Sequence, residues 1–136
     1  MKAGISTFNK IYRDYKDRAR KKGLDWGITK ERAMEMFTDN CFYCGSPPTR
    51  IRDIPDRKGT FTYNGIDRRD SGLGYVSDNC VACCWECNDM KDVMGYADFI
   101  EHVFKICFHT GVSNIPNNLD VAGVPIEQTI KGLTSS

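Results

Sequence analysis

The sequence predicts an α+β fold: a small metal-clipped core running strand, strand and helix, with further helices flanking it. Three observations carry this reading. Two Cys-x-x-Cys pairs, Cys41/Cys44 and Cys84/Cys87, stand far apart in the 136-residue chain and together supply the four thiolates of a closed, tetrahedral structural zinc site. Phe61, Tyr63, Gly65 and Asp67 alternate with Thr62, Asn64 and Ile66, the period of a strand ending at Asp67. Apolar residues at helical spacing mark amphipathic helices on either side of these features.

Length and composition set the frame. A chain of this size is most simply one domain with a modest core that a staple would help. Six of the seven cysteines fall into C-x-x-C spacings, which favours zinc over disulfides. No run approaches the roughly 18 apolar residues of a membrane span, and no apolar segment follows Met1-Lys2, so the expectation is a soluble, cytoplasmic protein with no membrane partner. The formal net charge of +1 hides an asymmetry: residues 1–35 carry ten Lys/Arg against five Asp/Glu. Such a basic end suits a polyanion.

Residues 1–40 read as a basic N-terminal helical region. Ile5, Phe8, Ile11, Tyr12, Tyr15 and Ala19 form its apolar stripe, while Lys10, Arg13, Lys16, Arg18, Arg20, Lys21 and Lys22 take much of the remaining surface. Gly23 ends that helix. Thr29, with Glu31 close behind, opens a second one whose buried side is Ala33, Met34 and Phe37, and Asp39-Asn40 stop it.

Cys41-Phe42-Tyr43-Cys44-Gly45 has the form of a zinc knuckle, in which the glycine permits the reversal. Thr49 to Gly59 is charged and aperiodic, hence a loop, with Arg50, Arg52, Arg57 and Lys58 in water or on a nucleic acid. Asp70 to Gly74 is turn chemistry, Tyr75-Val76 begins a return strand, and Val81-Ala82-Cys83 is a short buried run. Cys84 to Met94 has helical spacing, with Asn88 and Lys91 near one face. Cys80 and Cys83 repeat the C-x-x-C spacing, but Cys84 and Cys87 are preferred because they start this helix. Ala97 to Phe108 forms another amphipathic helix, completing a core region over 41–110, and 111–136 reads as an irregular tail. His102, Cys107 and His109 lack a clear fourth ligand for a second metal site.

Tyr63-Asn64-Gly65-Ile66-Asp67-Arg68, Gly74-Tyr75, Asn79 and Cys84-x2-Cys87-Asn88-x2-Lys91, preceded by the Cys41-x2-Cys44 knuckle, resemble the HNH, or ββα-metal, endonuclease superfamily over residues 41–94. The resemblance implies a zinc-stabilised, treble-clef-like ββα-metal core. It also implies a metal-dependent DNA endonuclease of the restriction, homing or phage packaging kind, working in a bacterial or phage-infected cell. In its terms Asp67 and Asn88 hold a catalytic Mg2+ or similar divalent ion, Asn79 braces the loop, and Lys91 meets a phosphate. Arg69, Arg18, Arg20, Lys21 and Lys22 are the further candidates for the backbone of double-stranded DNA, and a pair of cuts would suit a homodimer.

One position departs from that pattern. Most of the superfamily places a water-activating histidine after the aspartate, and here it is Arg68, which stays protonated and is left to clamp a phosphate. A restriction-endonuclease branch of the superfamily shares the G-[IV]-D-R-x-D-S-x-x-G-Y pattern, so arginine does not by itself mean a dead enzyme. Tyr43 is then the candidate base or nucleophile, with neighbouring cations expected to lower a phenol pKa of roughly 10. Tyr63 lies roughly 13 Å from Asp67 along an extended strand, which is too far. The alternative is a catalytically inactive, zinc-stabilised nucleic-acid-binding or protein-interaction module. A thiol redox role is weak, because no thioredoxin-like βαβ pattern surrounds the cysteines.

Overall fold

The computed structural model describes residues 4–111. It divides into a unit ending at Gly95 and a second unit beginning at Tyr96. The first holds α1 (Ile5–Lys21), α2 (Lys30–Thr38), β1 (Arg50–Arg52), β2 (Phe61–Tyr63), β3 (Gly65–Arg68), β4 (Cys80–Cys83) and α3 (Trp85–Lys91). The second holds α4 (Tyr96–Thr110). The expected irregular tail lies outside the described residues, apart from Gly111. No helix among the described residues is long and apolar enough to cross a membrane.

The two N-terminal helices start and stop where local chemistry dictates. Arg18, Arg20 and Lys21 occupy the last turn of α1, where cations complement the helix dipole. Gly23 then takes φ +69°, and the Leu24 N–H reaches back to the Ala19 carbonyl at 2.9 Å. Thr29 caps α2, its hydroxyl accepting from the Arg32 N–H at 3.1 Å. Phe8, Ile11, Ala19, Ala33, Met36 and Phe37 pack together between these helices and Tyr63, Ile66 and Tyr75. Phe37 is fully buried, with its ring edge-on to Phe8 and Tyr63. Burying such a ring contributes about 1.5–3 kcal/mol, more than any single surface ion pair.

The strands differ from expectation in three ways. Arg50–Arg52, inside the expected loop, forms β1 and pairs antiparallel with β2, Ile51 opposite Thr62. The single strand expected from Phe61 to Asp67 is broken at Asn64. That residue's N–H bonds the Phe37 carbonyl at 2.8 Å, and its amide donates to the carbonyls of Asp39 and Ser46. The chain therefore changes sheet, and β3 pairs antiparallel with β4, placing Asp67 opposite Val81 and Arg68 opposite Cys80. Finally, the return strand is β4 rather than Tyr75-Val76: Tyr75 instead bridges to Trp26, and Ser77–Asn79 forms a single 3₁₀ turn.

Helix α1 is seated on β3 through a glycine. A Cβ at Gly65 would lie 2.7 Å from the Tyr15 hydroxyl, which accepts the Ile66 N–H at 3.2 Å. Any side chain there would push the helix away from the strand that carries Asp67. At the other end of the ββα run, α3 is shorter than expected and gives way at Asp92, which takes φ 50°.

Candidate metal clip and active site

The sulfur atoms of Cys41, Cys44, Cys84 and Cys87 lie within 4.8 Å of one another. Two local structures bring them together. In the knuckle, Gly45 takes φ 78° and its N–H returns to the Cys41 carbonyl at 2.9 Å, while the Phe42 N–H docks the turn on β4 through the Ala82 carbonyl. On the other side Cys84 caps α3, its sulfur accepting the Cys87 N–H at 3.4 Å. Zinc–sulfur bonds of about 2.3 Å in a tetrahedron set sulfurs about 3.8 Å apart. The Cys44 and Cys84 sulfurs stand at 3.6 Å, so the donor set fits a structural metal.

The structure also separates the two candidate C-x-x-C pairs of the second half. Cys80 and Cys83 belong to β4, and the Cys83 thiol donates to the Cys84 carbonyl at 3.3 Å. Burial pushes the Cys80 thiol up to about 11, helped by the Asp67 carboxylate, and raises Cys83 further still. Both thiols pack inward.

Asp67 is the other convergence point. It is buried on β3, and its Oδ2 accepts a hydrogen bond from the Tyr43 hydroxyl of the knuckle at 2.6 Å. The Lys91 ammonium, from α3, sits 3.3 Å from the same oxygen and 3.5 Å from Oδ1, and it also donates to the Arg68 carbonyl at 3.1 Å. The Lys91 side chain is 0% exposed. Lys91 falls on the same helical face as Cys84 and Cys87, so a clip that buries those cysteines carries Lys91 inward with them.

For Tyr43 the phenol shift runs opposite to the sequence expectation. Burial raises its pKa, and the hydrogen bond it donates to Asp67 raises it further, because the nearest charge is a carboxylate rather than a cation.

Around Asp67 opens a cleft of about 290 Å3 lined by Arg18, Lys22, Arg50, Arg68, Asn88 and Tyr75, among others. Arg18 lies with its guanidinium 4.3 Å from the centre of the Tyr15 ring. Asn88 is exposed on α3 and shares this cleft with Asp67. Arg50 and Ser71 are members that sequence reasoning did not place here: β1 carries Arg50 in, and only pairing with β2 creates β1. Arg20 and Lys21 are not among the lining residues. Arg20 pairs with Asp17 on its own helix, and Arg69 lies over the Phe42 ring.

The turn beside the cleft is tied from inside. Arg68 Nη1 donates to the carbonyls of Ser71 at 2.6 Å and Leu73 at 3.0 Å, and the guanidinium lies over Tyr75. The Asn79 side chain accepts from the Asp70 N–H at 3.0 Å and donates to the carbonyls of Asp70 and Gly74. Gly74 is pressed so close to Asp25 that a Cβ would lie 2.8 Å from its backbone.

The fold that carries these residues is similar to that of a protein of known structure. The chain superposes on PacI, described as a rare-cutting HNH restriction endonuclease with an extraordinary mechanism of DNA perturbation. The TM-score is 0.52 at 22% identity, covering 76% of this chain and 81% of that one. This chain has the HNH fold. Its ββα unit is β3, β4 and α3, with the knuckle clipped to the start of the helix. No protein-family model matches the sequence. An uncharacterised protein of Acanthamoeba polyphaga mimivirus is 38% identical over 105 residues, which is 73% of this chain but 18% of that protein's length.

Proposed function

We propose that this HNH-fold chain is a metal-dependent endonuclease that hydrolyses phosphodiester bonds of double-stranded DNA, in a restriction, homing or packaging role in the cytoplasm. The observation that supports this best is one juxtaposition: a buried carboxylate, Asp67, with a phenol and an ammonium on it, at a cleft carrying Arg18, Lys22, Arg50 and Arg68. A carboxylate and the amide oxygen of Asn88 are donors suited to a hard divalent ion such as Mg2+. When bound, that ion supplies stabilisation of the charge developing on the scissile phosphate.

The remaining work falls to the chain. Arg18, Lys22 and Arg50 stand outside the turn network and take backbone phosphates, whereas Arg68 holds the turn and offers the cleft what remains of its guanidinium. Lys91 holds Asp67 in place and aimed at the cleft. Tyr43 handles the proton that histidine handles elsewhere in the superfamily: as water attacks phosphorus, its proton passes to Tyr43 Oη while the phenolic proton passes to Asp67 Oδ2. The leaving oxygen is protonated by solvent. A homodimer would deliver the paired cuts.

Plasmid cleavage by the zinc-loaded protein with added Mg2+ or Mn2+ tests this. Asp67→Ala and Asn88→Ala are expected to abolish cleavage, and Tyr43→Phe to slow it about 10²–10⁴-fold. Tight DNA binding with no cleavage under any divalent ion would sink the proposal. It would leave the second reading, an inert DNA-binding module, which is favoured by one observation: Asp67 already has Tyr43 and Lys91 on it. That module would bind DNA equally well as Asp67→Ala and as wild type, with the same steep salt dependence.

A further inference from the structure

The arginines of the Asp67 cleft share a feature that the cleavage chemistry above does not use: a tyrosine ring stands behind each of them. The Arg18 guanidinium lies 4.3 Å from the centre of the Tyr15 ring, Arg50 5.6 Å from that of Tyr63, and Arg68 5.3 Å from that of Tyr75. The three arginines come from α1, β1 and β3, and all three line the cleft. Tyr63 and Tyr75 belong to the buried core, and Tyr15 packs against it. A guanidinium laid over a ring gives its face to the ring and keeps its in-plane N–H donors for a phosphate.

Tyr15 and Arg18 form the closest of these pairs, and Tyr15 has a second attachment. The two residues stand three apart on α1, neighbours on one face of the helix. Nearby acids of that helix are engaged elsewhere, Asp14 with Lys10 and Arg52, and Asp17 with Arg20, so a ring rather than a carboxylate backs Arg18. At its far end, the Tyr15 hydroxyl accepts the N–H of Ile66, the residue before Asp67, at 3.2 Å. Gly65 permits that approach, since a Cβ there would lie 2.7 Å from the hydroxyl. One stiff side chain therefore touches both an arginine of the cleft and the strand that carries its carboxylate.

We infer that Tyr15 is a positioning residue, which sets the phosphate gripped by Arg18 in register with Asp67. Its ring fixes the guanidinium, so less rotamer freedom is lost when the phosphate arrives. Its hydroxyl fixes the ring to β3, so the grip and the carboxylate keep one separation. Misplacing reacting groups by about 1 Å costs on the order of 10²-fold in rate, so this link acts on the speed of cutting as well as on affinity. The inference rests on the reading of the Asp67 cleft as a DNA site.

The test uses zinc-loaded full-length protein and a duplex fragment of the plasmid, with binding measured without Mg2+ and single-turnover cleavage with it. Tyr15→Leu removes the ring and should weaken binding about 2- to 30-fold, the strength of one cation–π contact. The same change should do nothing more to affinity in an Arg18→Ala background, because the ring acts on DNA only through Arg18. Arg18→Ala should lower the slope of log affinity against log salt by about one, whereas Tyr15→Leu, which removes no charge, should leave it alone. Tyr15→Phe keeps the ring but not the tie to β3, and should bind like wild type yet cut more slowly at saturating DNA, by up to about 10²-fold. Gly65→Ala, which displaces the hydroxyl, should slow cutting in wild type and add nothing to Tyr15→Phe.

Additive losses of affinity for Tyr15→Leu and Arg18→Ala, or wild-type cutting by Tyr15→Phe, overturn the positioning role. Zinc content and circular dichroism confirm that each variant is folded, and Tyr15→Phe decides the matter should Tyr15→Leu not fold. If the wild type binds the duplex without cutting it, the nuclease reading falls, and the coupling of Tyr15 to Arg18 in affinity decides the role by itself. Cutting that is indifferent to Tyr15 leaves the nuclease standing without this role, and a protein that does not bind the duplex at low salt removes both.

Discussion

The cysteine clip and the Asp67 cluster both tie the knuckle to α3, yet they differ in what completes them. The clip gathers four sulfurs that have little besides one another and a few weak donors. A set of thiolates at that spacing is unbalanced charge until a cation joins it. The Asp67 cluster carries its own cation, Lys91, and its own hydrogen-bond donor, Tyr43. The first is a donor set that a structural metal would complete. The second is complete within the chain, so the Asp67 carboxylate is held in place by the protein's own groups.

The largest expected effect follows from the first half of that contrast. Removing the clip's metal with a strong chelator, or substituting Cys87→Ser, should unfold the first unit at room temperature. Structural zinc contributes an apparent ~10–16 kcal/mol at neutral pH, as much as or more than the roughly 5–15 kcal/mol by which a whole domain is stable. Loss of helical circular dichroism on chelation, with one zinc per chain beforehand, is the measurement. Cys80→Ser should keep the zinc, because Cys80 packs on β4 away from the clip. A chelated protein that melts where the holoprotein melts would erase the distinction between the two clusters.

A smaller effect tests the second half. Asp67→Ala leaves a fully buried ammonium with only the Arg68 carbonyl, and Lys91→Met leaves a buried carboxylate with only Tyr43. Each single change should cost about 3–5 kcal/mol, the usual penalty for orphaning one partner of a buried pair. Together, Asp67→Ala with Lys91→Met should cost less than the sum, by more than about 1 kcal/mol in denaturant titrations. Strict additivity would mean that the two side chains do not sense each other.

How much of this could be read from the chain depends on the range of the physics involved. The clip is legible because a C-x-x-C pair announces its chemistry within four residues, and Thr29 because a cap is a local bond. The β1 strand is not: Arg-Ile-Arg has no apolar alternation, and it is a strand only because Phe61–Tyr63 lies beside it. Nor is the break at Asn64, which answers to carbonyls of Phe37, Asp39 and Ser46, 18 to 27 residues away. Asp67 can be singled out from its neighbours in sequence, but its partners cannot. That Tyr43 meets a carboxylate first, and that Lys91 is inside, are facts of three elements closing together. The sign of the Tyr43 shift was therefore beyond local reasoning.

Asp14 is the exposed counterpart of Asp67 and gives the smallest effect. It too has two side-chain partners, here both cationic, Lys10 one turn earlier and Arg52 of β1 at 3.3 Å, but its side chain is 25% exposed against 6% for Asp67. Partial burial alone would raise its pKa, yet the Lys10 hydrogen bond and the charges of Lys10, Arg52 and Arg18 outweigh it and bring the group below its ordinary 3.8. A carboxylate depressed in the folded state adds stability above the unfolded value and loses it as pH falls through the folded one. Asp14→Asn should therefore cost less than about 1 kcal/mol at neutral pH, shrink in high salt, and cost progressively less as pH falls below the ordinary carboxylate range. Melting temperatures of the two proteins across that range would show it. If Asp14→Asn instead cost as much as Asp67→Ala, water exposure would not be what separates the two carboxylates, and the special standing of the buried one would have to come from Tyr43 rather than from Lys91.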